Sequence, residues 1–144
     1  MHEAGVKVDL AALKGIFAAS PFVAGIGIAP IALDDGKVTT ELVLAKRHTQ
    51  HTGVVHAGVM ATMADHSMGA AAQVVAPDGH WIVTAELKTS LLRAANGERL
   101  VCEAQVLKAG RALTFAEASV WAESDGQRTL VMKASATMAV TAAG

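Results

Sequence analysis

The sequence of 144 residues has few aromatic side chains, one cysteine and almost no net charge. Aromatic residues make up 3% of the chain and hydrophobic residues 52%, so its apolar content lies mainly in small side chains that allow close packing. A formal charge of −1 leaves no basic surplus to neutralise the phosphates of a nucleic acid, so no such partner is expected. The length predicts a single domain over residues 1–144.

The lone cysteine and the lack of a long apolar run narrow the class of protein. Cys102 has no partner for an intramolecular disulfide, and we expect it to be a small core residue. The first residues lack the basic stretch and apolar core of a signal peptide. No uncharged apolar run approaches the roughly 18 residues of a membrane helix. A cytoplasmic protein without a membrane partner is therefore expected.

Turn residues and hydrophobic periodicity divide the chain into a short helix, two strands, one long helix and four strands. The predicted elements are a helix at 8–19, strands at 22–33 and 37–45, a loop at 46–56, a helix at 57–76, and strands at 81–92, 99–108, 112–123 and 128–141. Short turns between successive strands indicate an antiparallel sheet. The long helix is apolar on nearly every side, so the sheet must curve around it, which is the α+β pattern of a hot-dog fold.

One carboxylate interrupts the long apolar helix. Asp65 would cost several kcal/mol if it were buried dry and unpaired. Three explanations are open: Asp65 pairs with His66 or another buried group, it points to solvent, or it lines a cavity in which a carboxylate does chemistry. We favour the third, because the helical neighbours of Asp65 are small or apolar and offer no polar face.

The start of that helix is a second notable feature. Gly53 and Gly58 flank His56 and Ala57, where the chain enters the helix. The first N–H groups of a helix lack internal partners and carry the positive end of its dipole. Small residues there let a ligand oxygen approach, which is an oxyanion-binding arrangement. An ordinary tight start of a buried helix explains the same residues.

Other kinds of site receive less support. His48, His51 and His56 have a spacing that matches no standard zinc motif, so no metal is expected. We expect His66 to pack against or orient a neighbour. The sequence contains no Gly-x-Ser-x-Gly elbow, and its cysteine falls in a predicted strand core, so neither a serine nor a cysteine nucleophile is supported.

The stretch QHTGVVHAGVMATMAD resembles the signature loop and helix of hot-dog acyl-CoA thioesterases, in particular the phenylacetate-pathway (PaaI-like) group. That group's pattern is Asn-x-x-Gly-x-x-His-Gly-Gly with Asp seven residues later, and here it is Gln50-x-x-Gly53-x-x-His56-Ala57-Gly58 with Asp65. Residues 84–95 and 107–121 resemble the family's next strand and its Gly-Arg hairpin. The resemblance covers about residues 35–141.

Two positions depart from the group's pattern. Gln50 stands where Asn is usual, as in the related 4-hydroxybenzoyl-CoA thioesterases. Ala57 replaces the first glycine of the pair, which a backbone donor tolerates, although the pocket floor becomes slightly smaller. These departures put the shape of the acyl group in question more than the reaction.

The resemblance implies hydrolysis of an acyl- or aryl-CoA thioester to the free acid and CoA, without a cofactor. It implies that the N–H of Ala57, with help from Gly58, polarises the thioester carbonyl. Gln50 would hold the water or the carbonyl. Asp65 would act on water as a general base or attack the carbonyl directly.

Further residues have supporting roles in this reading. Thr84 matches the Ser or Thr that orients water in some relatives, and His56 is expected to shape the loop rather than take a proton. The residues expected to bind substrate or the CoA phosphates are Gly53, Arg93, Lys108 and Arg111. Ordinary solvated surface charge explains the three basic residues equally well.

The distance along the helix between two of these residues indicates that a second copy of the chain is a partner. Ala57 and Asp65 are eight residues apart, hence about 12 Å along one helix, too far to act on one carbonyl. The family places its active site across a dimer, and a homodimer that assembles into a homotetramer is expected. A hot-dog hydratase or dehydratase, and a non-catalytic acyl-CoA-binding regulatory module, are alternatives. The sequence does not choose between aryl and aliphatic acyl groups.

Overall fold

The described part of the chain, residues 8–142 of a computed structural model, begins with a helix. This helix, α1, spans Leu10–Ala19. It starts at Asp9, whose carboxylate accepts a hydrogen bond from the Ala12 N–H at 2.9 Å, as an N-cap residue does. Leu13 and Phe17 are its buried residues, so its apolar stripe packs onto the core. The expected first helix is confirmed.

A second short helix, α2, follows directly at Pro21–Ile26. Proline suits a first helical turn because its missing N–H would have no partner there. Gly27 ends the helix with φ 104°, a left-handed conformation that favours glycine. The expectation of a strand from residue 22 onward is therefore wrong for residues 22–28, because Pro21 and Gly27 delimit a helix and the first strand begins at Ala29.

Six strands form one antiparallel sheet in the order β1-β2-β4-β5-β6-β3. Their bounds are β1 Ala29–Asp34, β2 Lys37–Val43, β3 His80–Leu91, β4 Arg99–Ala109, β5 Leu113–Ser124 and β6 Gln127–Ala142. Two of the connections are Asp-Gly turns with positive φ at both residues, the type I′ geometry that suits the twist of a hairpin. The antiparallel sheet and its strand order along the chain agree with the prediction.

The long helix, α3, spans Ala57–Val75 and packs on the sheet. The strand residues beneath it are small, as in β5, where Thr114, Ala116, Ala118 and Val120 are all buried. This architecture is the expected hot-dog fold. Of the helices within residues 8–142, none has the combination of length and hydropathy required to cross a membrane.

A polar contact inside the core fixes α3 against the sheet. The Ser67 hydroxyl of α3 and the Thr40 hydroxyl of β2 lie 2.8 Å apart, and both residues are fully buried. The Cys102 thiol of β4 lies in the same cluster, and burial raises its pKa to about 12. Cys102 is therefore the core residue that the sequence predicts, and its thiol stays protonated at neutral pH.

Candidate active site

Asp65 lies in the middle of α3 and is half-buried. Its Oδ1 accepts a hydrogen bond from the Thr84 hydroxyl of β3, with 2.7 Å between the two oxygens. The sulfur of buried Met138 lies 3.3 Å from the same hydroxyl. The fold thus brings together two of the residues singled out in the sequence.

An irregularity in β3 aims Thr84 at the helix. The register of β3 on β6 shifts directly after Thr84, so Ala85 is an extra residue in the strand. Thr84 pairs with Met138 and Leu87 with Ala136, and both partners face the core. The extra residue puts Thr84 and Leu87 on the same face, whereas strict alternation along a regular strand would put them on opposite faces.

A cavity of about 320 Å³ opens beside Asp65. Its α3 wall is formed by Asp65, His66, Gly69, Ala70 and Gln73, which recur at helical spacing. Residues of α1 and the first half of β3 complete the wall. Of the three explanations for the buried carboxylate, this geometry favours the third, a carboxylate that lines a cavity.

His66 contributes a ring to the same cavity rather than a partner for the carboxylate. Its imidazole stands edge-on to the Phe17 ring, with 4.4 Å between the ring centroids and 82° between the planes. Burial lowers the pKa of His66, and the neighbouring charge of Asp65 offsets part of that effect. The expected packing role fits this contact, and the hydrogen bond of Asp65 goes to Thr84 instead.

The start of α3 presents one free backbone donor. The Nδ1 atom of His56 accepts a hydrogen bond from the Gly58 N–H at 2.8 Å, so that ring caps the helix. The Gly58 N–H is therefore already hydrogen-bonded, so it does not provide the second donor to the thioester carbonyl that was expected from the sequence. The Ala57 N–H has no acceptor within residues 8–142, and it points out of the positive end of the helix.

Gln50 sits in a loop whose shape is set by its backbone. The Gln50 N–H donates to the Val54 carbonyl at 2.8 Å, and the Gln50 carbonyl accepts from the Gly53 N–H at 2.9 Å. Gly53 has φ 94°, which permits this tight turn. The side-chain amide of Gln50 makes no hydrogen bond to any described residue and is free to bind a ligand.

The two parts of the site are separated along α3. Ala57 begins the helix and Asp65 lies eight residues later, so the rise between them is about 12 Å. Within one chain, the free N–H of Ala57 and the carboxylate of Asp65 do not act on the same atom. We refer below to Gln50 and Ala57 as the donor half-site, and to Asp65 and Thr84 as the carboxylate half-site.

Comparison with known proteins identifies the family. Residues 52–129 match the family model of the Thioesterase superfamily. The chain belongs to the thioesterase superfamily. A crystal structure of a thioesterase family protein from Silicibacter pomeroyi is similar, with 32% identity and a TM-score of 0.86 over 90% of this chain and 96% of that one. The family inferred from the motif is therefore confirmed.

Two further relatives of this superfamily member are informative. A Caenorhabditis elegans protein named as a candidate esterase is 31% identical over 68% of this chain, and the chain spans 58% of that relative's length. A Bacillus halodurans protein whose crystal structure was determined with CoA has the same fold, with 24% identity and a TM-score of 0.77 over 85% of this chain and 79% of that one.

The basic residues expected near CoA lie at two different ends of the sheet. Arg93 precedes β4, close to the start of α3, and its guanidinium donates to the Leu130 carbonyl at 2.8 Å. Lys108 is the penultimate residue of β4, and Arg111 lies in the β4–β5 turn, so both are at the opposite end. Both side chains are exposed and make no ion pair with the described residues.

The histidines do not gather around a common point. His48 is buried, and its ring joins the Ala45 N–H at 2.9 Å to the Ile26 carbonyl at 2.7 Å, which anchors the loop to α2. Arg47 donates to the carbonyls of Gly25 and Ile26 beside it. Within residues 8–142, no three His, Cys, Asp or Glu side chains lie close enough to share a metal ion.

Sequence reasoning missed the α1 wall of the cavity. Leu13, Ile16 and Phe17 line it, and Trp81 and Ile82 of β3 face them. The helical spacing of the α1 residues indicates an apolar face, but nothing local to them indicates that this face borders Asp65.

Proposed function

We propose that this member of the thioesterase superfamily hydrolyses an acyl-CoA thioester to the free acid and CoA, as the phenylacetate-pathway resemblance implies. The observation that carries the proposal is Asp65, a carboxylate in an otherwise apolar helix, held by Thr84 at the wall of an apolar cavity. A carboxylate that loses hydration in such a place is destabilising unless hydrogen bonds compensate it, and a catalytic role would account for its presence there. CoA is bound by a relative of the same fold, which supports a CoA ester as the substrate.

The carboxylate half-site supplies the attacking group in this proposal. Asp65 either takes a proton from water as the water oxygen adds to the thioester carbonyl, or adds to that carbonyl itself to form a mixed anhydride. In both routes the tetrahedral adduct collapses, the C–S bond breaks and the CoA thiolate leaves. The first route gives the free acid directly. In the second route this step gives the mixed anhydride, which water then hydrolyses to the free acid and the regenerated Asp65 carboxylate. The Thr84 hydroxyl holds Oδ1 in place, so Oδ2 remains free to take the proton or to attack the carbonyl.

The donor half-site supplies the stabilisation of the oxyanion. The free Ala57 N–H at the positive end of α3 would bind the carbonyl oxygen as it gains charge, and the unpartnered Gln50 amide would hold the carbonyl or the water. Because the two half-sites of one chain are about 12 Å apart, the donor half-site must come from a second copy.

The edges of the sheet support a second copy at β3. The outer edge of β1 is protected, since β1 has only six residues and contains Pro30. β3 is twice as long, lacks proline and pairs with β6 alone among the described strands. It also exposes apolar side chains, with Trp81 62% exposed and Val83 54% exposed. We infer that two copies join along β3, and that such dimers pair into a tetramer.

Release of free CoA by the purified protein, followed with a thiol reagent over aryl- and acyl-CoA esters, tests the proposal. We expect Asp65→Asn to lower kcat at least about 100-fold, the typical contribution of a general base. Asp34→Asn makes the same chemical change at the exposed end of β1 and should leave kcat unchanged. Equal rates for wild type and Asp65→Asn would contradict the proposal.

The same assay separates the alternatives. A hydratase would change the absorbance of an enoyl-CoA without releasing a thiol, and a binding module would bind acyl-CoA and release none. The hydrogen bond of Asp65 to Thr84, rather than to a histidine, is an argument against the hydratase, which relies on a His paired with an acid.

A further inference from the structure

The cavity beside Asp65 differs from an ordinary surface cleft in what its polar residues do. Four polar side chains line it: Asp65, His66, Gln73 and Thr84. Thr84 is bound to Asp65, and Gln73 is bound on both its amide atoms to the backbone of β3, at the His80 carbonyl and the Ile82 N–H. Apart from the reacting carboxylate, His66 is the polar side chain of the cavity wall that makes no hydrogen bond to a described residue.

The charges around the cavity have one sign. Among the described residues, no lysine or arginine lines it, whereas the carboxylate of Asp65 stands at its wall. A negatively charged acyl group would lose its hydration there without gaining a counter-ion. Apart from the four polar side chains, the wall is apolar, with Leu13, Ile16 and Phe17 contributed by α1. The cavity is therefore suited to an uncharged, apolar group.

Gly69 leaves room for a side chain at the cavity wall. It lies one helical turn after Asp65 on the same side of α3, and it lines the cavity. Beyond its chain neighbours and the backbone of its own helix, a Cβ added at Gly69 would meet no described atom within 4 Å. A side chain at this position would thus take up space next to the carboxylate without a clash, although alanine is the better helix former at an interior helical position.

We propose that this cavity is the acyl-binding pocket, that it takes a compact, uncharged, apolar acyl group, and that Gly69 determines how large that group can be. The inference rests on the proposed function, because it places the acyl group beside the carbonyl on which Asp65 acts. A volume of about 320 Å³ is at the small end for ligand pockets, which suits a medium-length chain or a single ring.

Substitution of Gly69 tests the size limit. For Gly69→Ala and Gly69→Leu we expect kcat/KM to fall with the length of a saturated acyl-CoA, by about fourfold for each methylene that no longer fits. Acetyl-CoA should stay within twofold of wild type. Gly15→Ala and Gly15→Leu are matched controls, since Gly15 also lies in a helix with open space around it but does not line the cavity.

Two results would overturn the inference. One is a kcat/KM of the Gly69 variants that does not depend on acyl length. It could be lowered equally for acetyl-CoA and long acyl-CoA esters, as a defect in assembly would produce, or not be lowered at all. The other is equal kcat/KM for butanoyl-CoA and succinyl-CoA, which are of similar length but differ in terminal charge; we expect succinyl-CoA to be at least tenfold poorer.

A binding measurement keeps this inference separate from the proposed function. If the wild type releases CoA from no ester, the proposed function fails. Titration calorimetry with non-hydrolysable thioether analogues of the same acyl-CoA series then decides about the pocket. Affinity that increases with chain length up to a limit, with a shorter limit in Gly69→Leu, would support it. Affinity independent of chain length, or no binding, would overturn it.

Discussion

The start and the middle of α3 are one helix, but they differ in how complete they are within a single chain. In the middle, Asp65 has a hydrogen-bond partner, a cavity and an apolar wall. At the start, His56 and the loop backbone fix the geometry, while the Ala57 N–H and the Gln50 amide remain without partners. The middle of α3 thus holds its polar group within one chain, whereas the start of α3 leaves two donors for a group outside the described chain.

The largest expected effect in the donor half-site comes from removing the Ala57 N–H. Proline is tolerated at a first helical position, and His56 before it already has φ −64° and ψ 135°, the extended conformation that proline requires of its predecessor. We expect Ala57→Pro to fold and to lower kcat about 100- to 1000-fold, the usual effect of losing one oxyanion donor. Ala57→Gly keeps the N–H and should retain activity.

A smaller effect on kcat is expected when the hydrogen bond that supports the Asp65 carboxylate is removed. Thr84→Val keeps the shape of the side chain and removes the hydrogen bond to Asp65. We expect kcat to fall about tenfold, since a hydrogen bond to a charged group contributes roughly 1.5–3 kcal/mol and part of it is recovered from water. If Thr84 acts through Asp65, the double variant with Asp65→Asn should be no slower than Asp65→Asn alone. Additive losses would show that Thr84 acts independently.

The smallest effect concerns stability around the cavity. Burial lowers the pKa of His66 below its ordinary value of 6.5. The unfolded chain therefore binds this proton more tightly, and the free energy of unfolding should fall as pH drops from 6.5 toward the lower pKa of the folded protein. Urea unfolding at pH 7.5 and 5.5 measures the change. His66→Phe keeps a ring against Phe17, and its free energy of unfolding should fall less between these two pH values than that of wild type. Equal falls would show that another titrating group causes the change.

Features that depend on local sequence could be predicted, and features that depend on distant packing could not. The Asp-Gly turns and the apolar length of α3 are local, and they indicate the sheet and its central helix correctly. Pro21 and Gly27 were also local signals, but the glycines and apolar residues between them resemble a strand as much as a helix. The extra residue after Thr84 has no local signal, because the pairing of β3 with β6 determines it.

In the candidate site, too, local features could be predicted from the sequence and features that depend on distant packing could not. Asp65 stands out because a carboxylate in an apolar helix requires an explanation, and that reasoning needs no fold. Its contact with Thr84 and the α1 wall of its cavity arise only when three elements pack together. The occupied N–H of Gly58 depends on the orientation of the His56 ring, which sequence does not specify.

Mixed dimers test the division of the site between two copies most directly. Asp65→Asn removes the carboxylate half-site and Ala57→Pro the donor half-site, so each variant alone should be inactive. When the two are co-expressed in equal amounts, half of the dimers contain one of each, and each mixed dimer regains one intact site of two. We expect recovery to about a quarter of the wild-type rate. Activity no higher than that of either variant alone would contradict it.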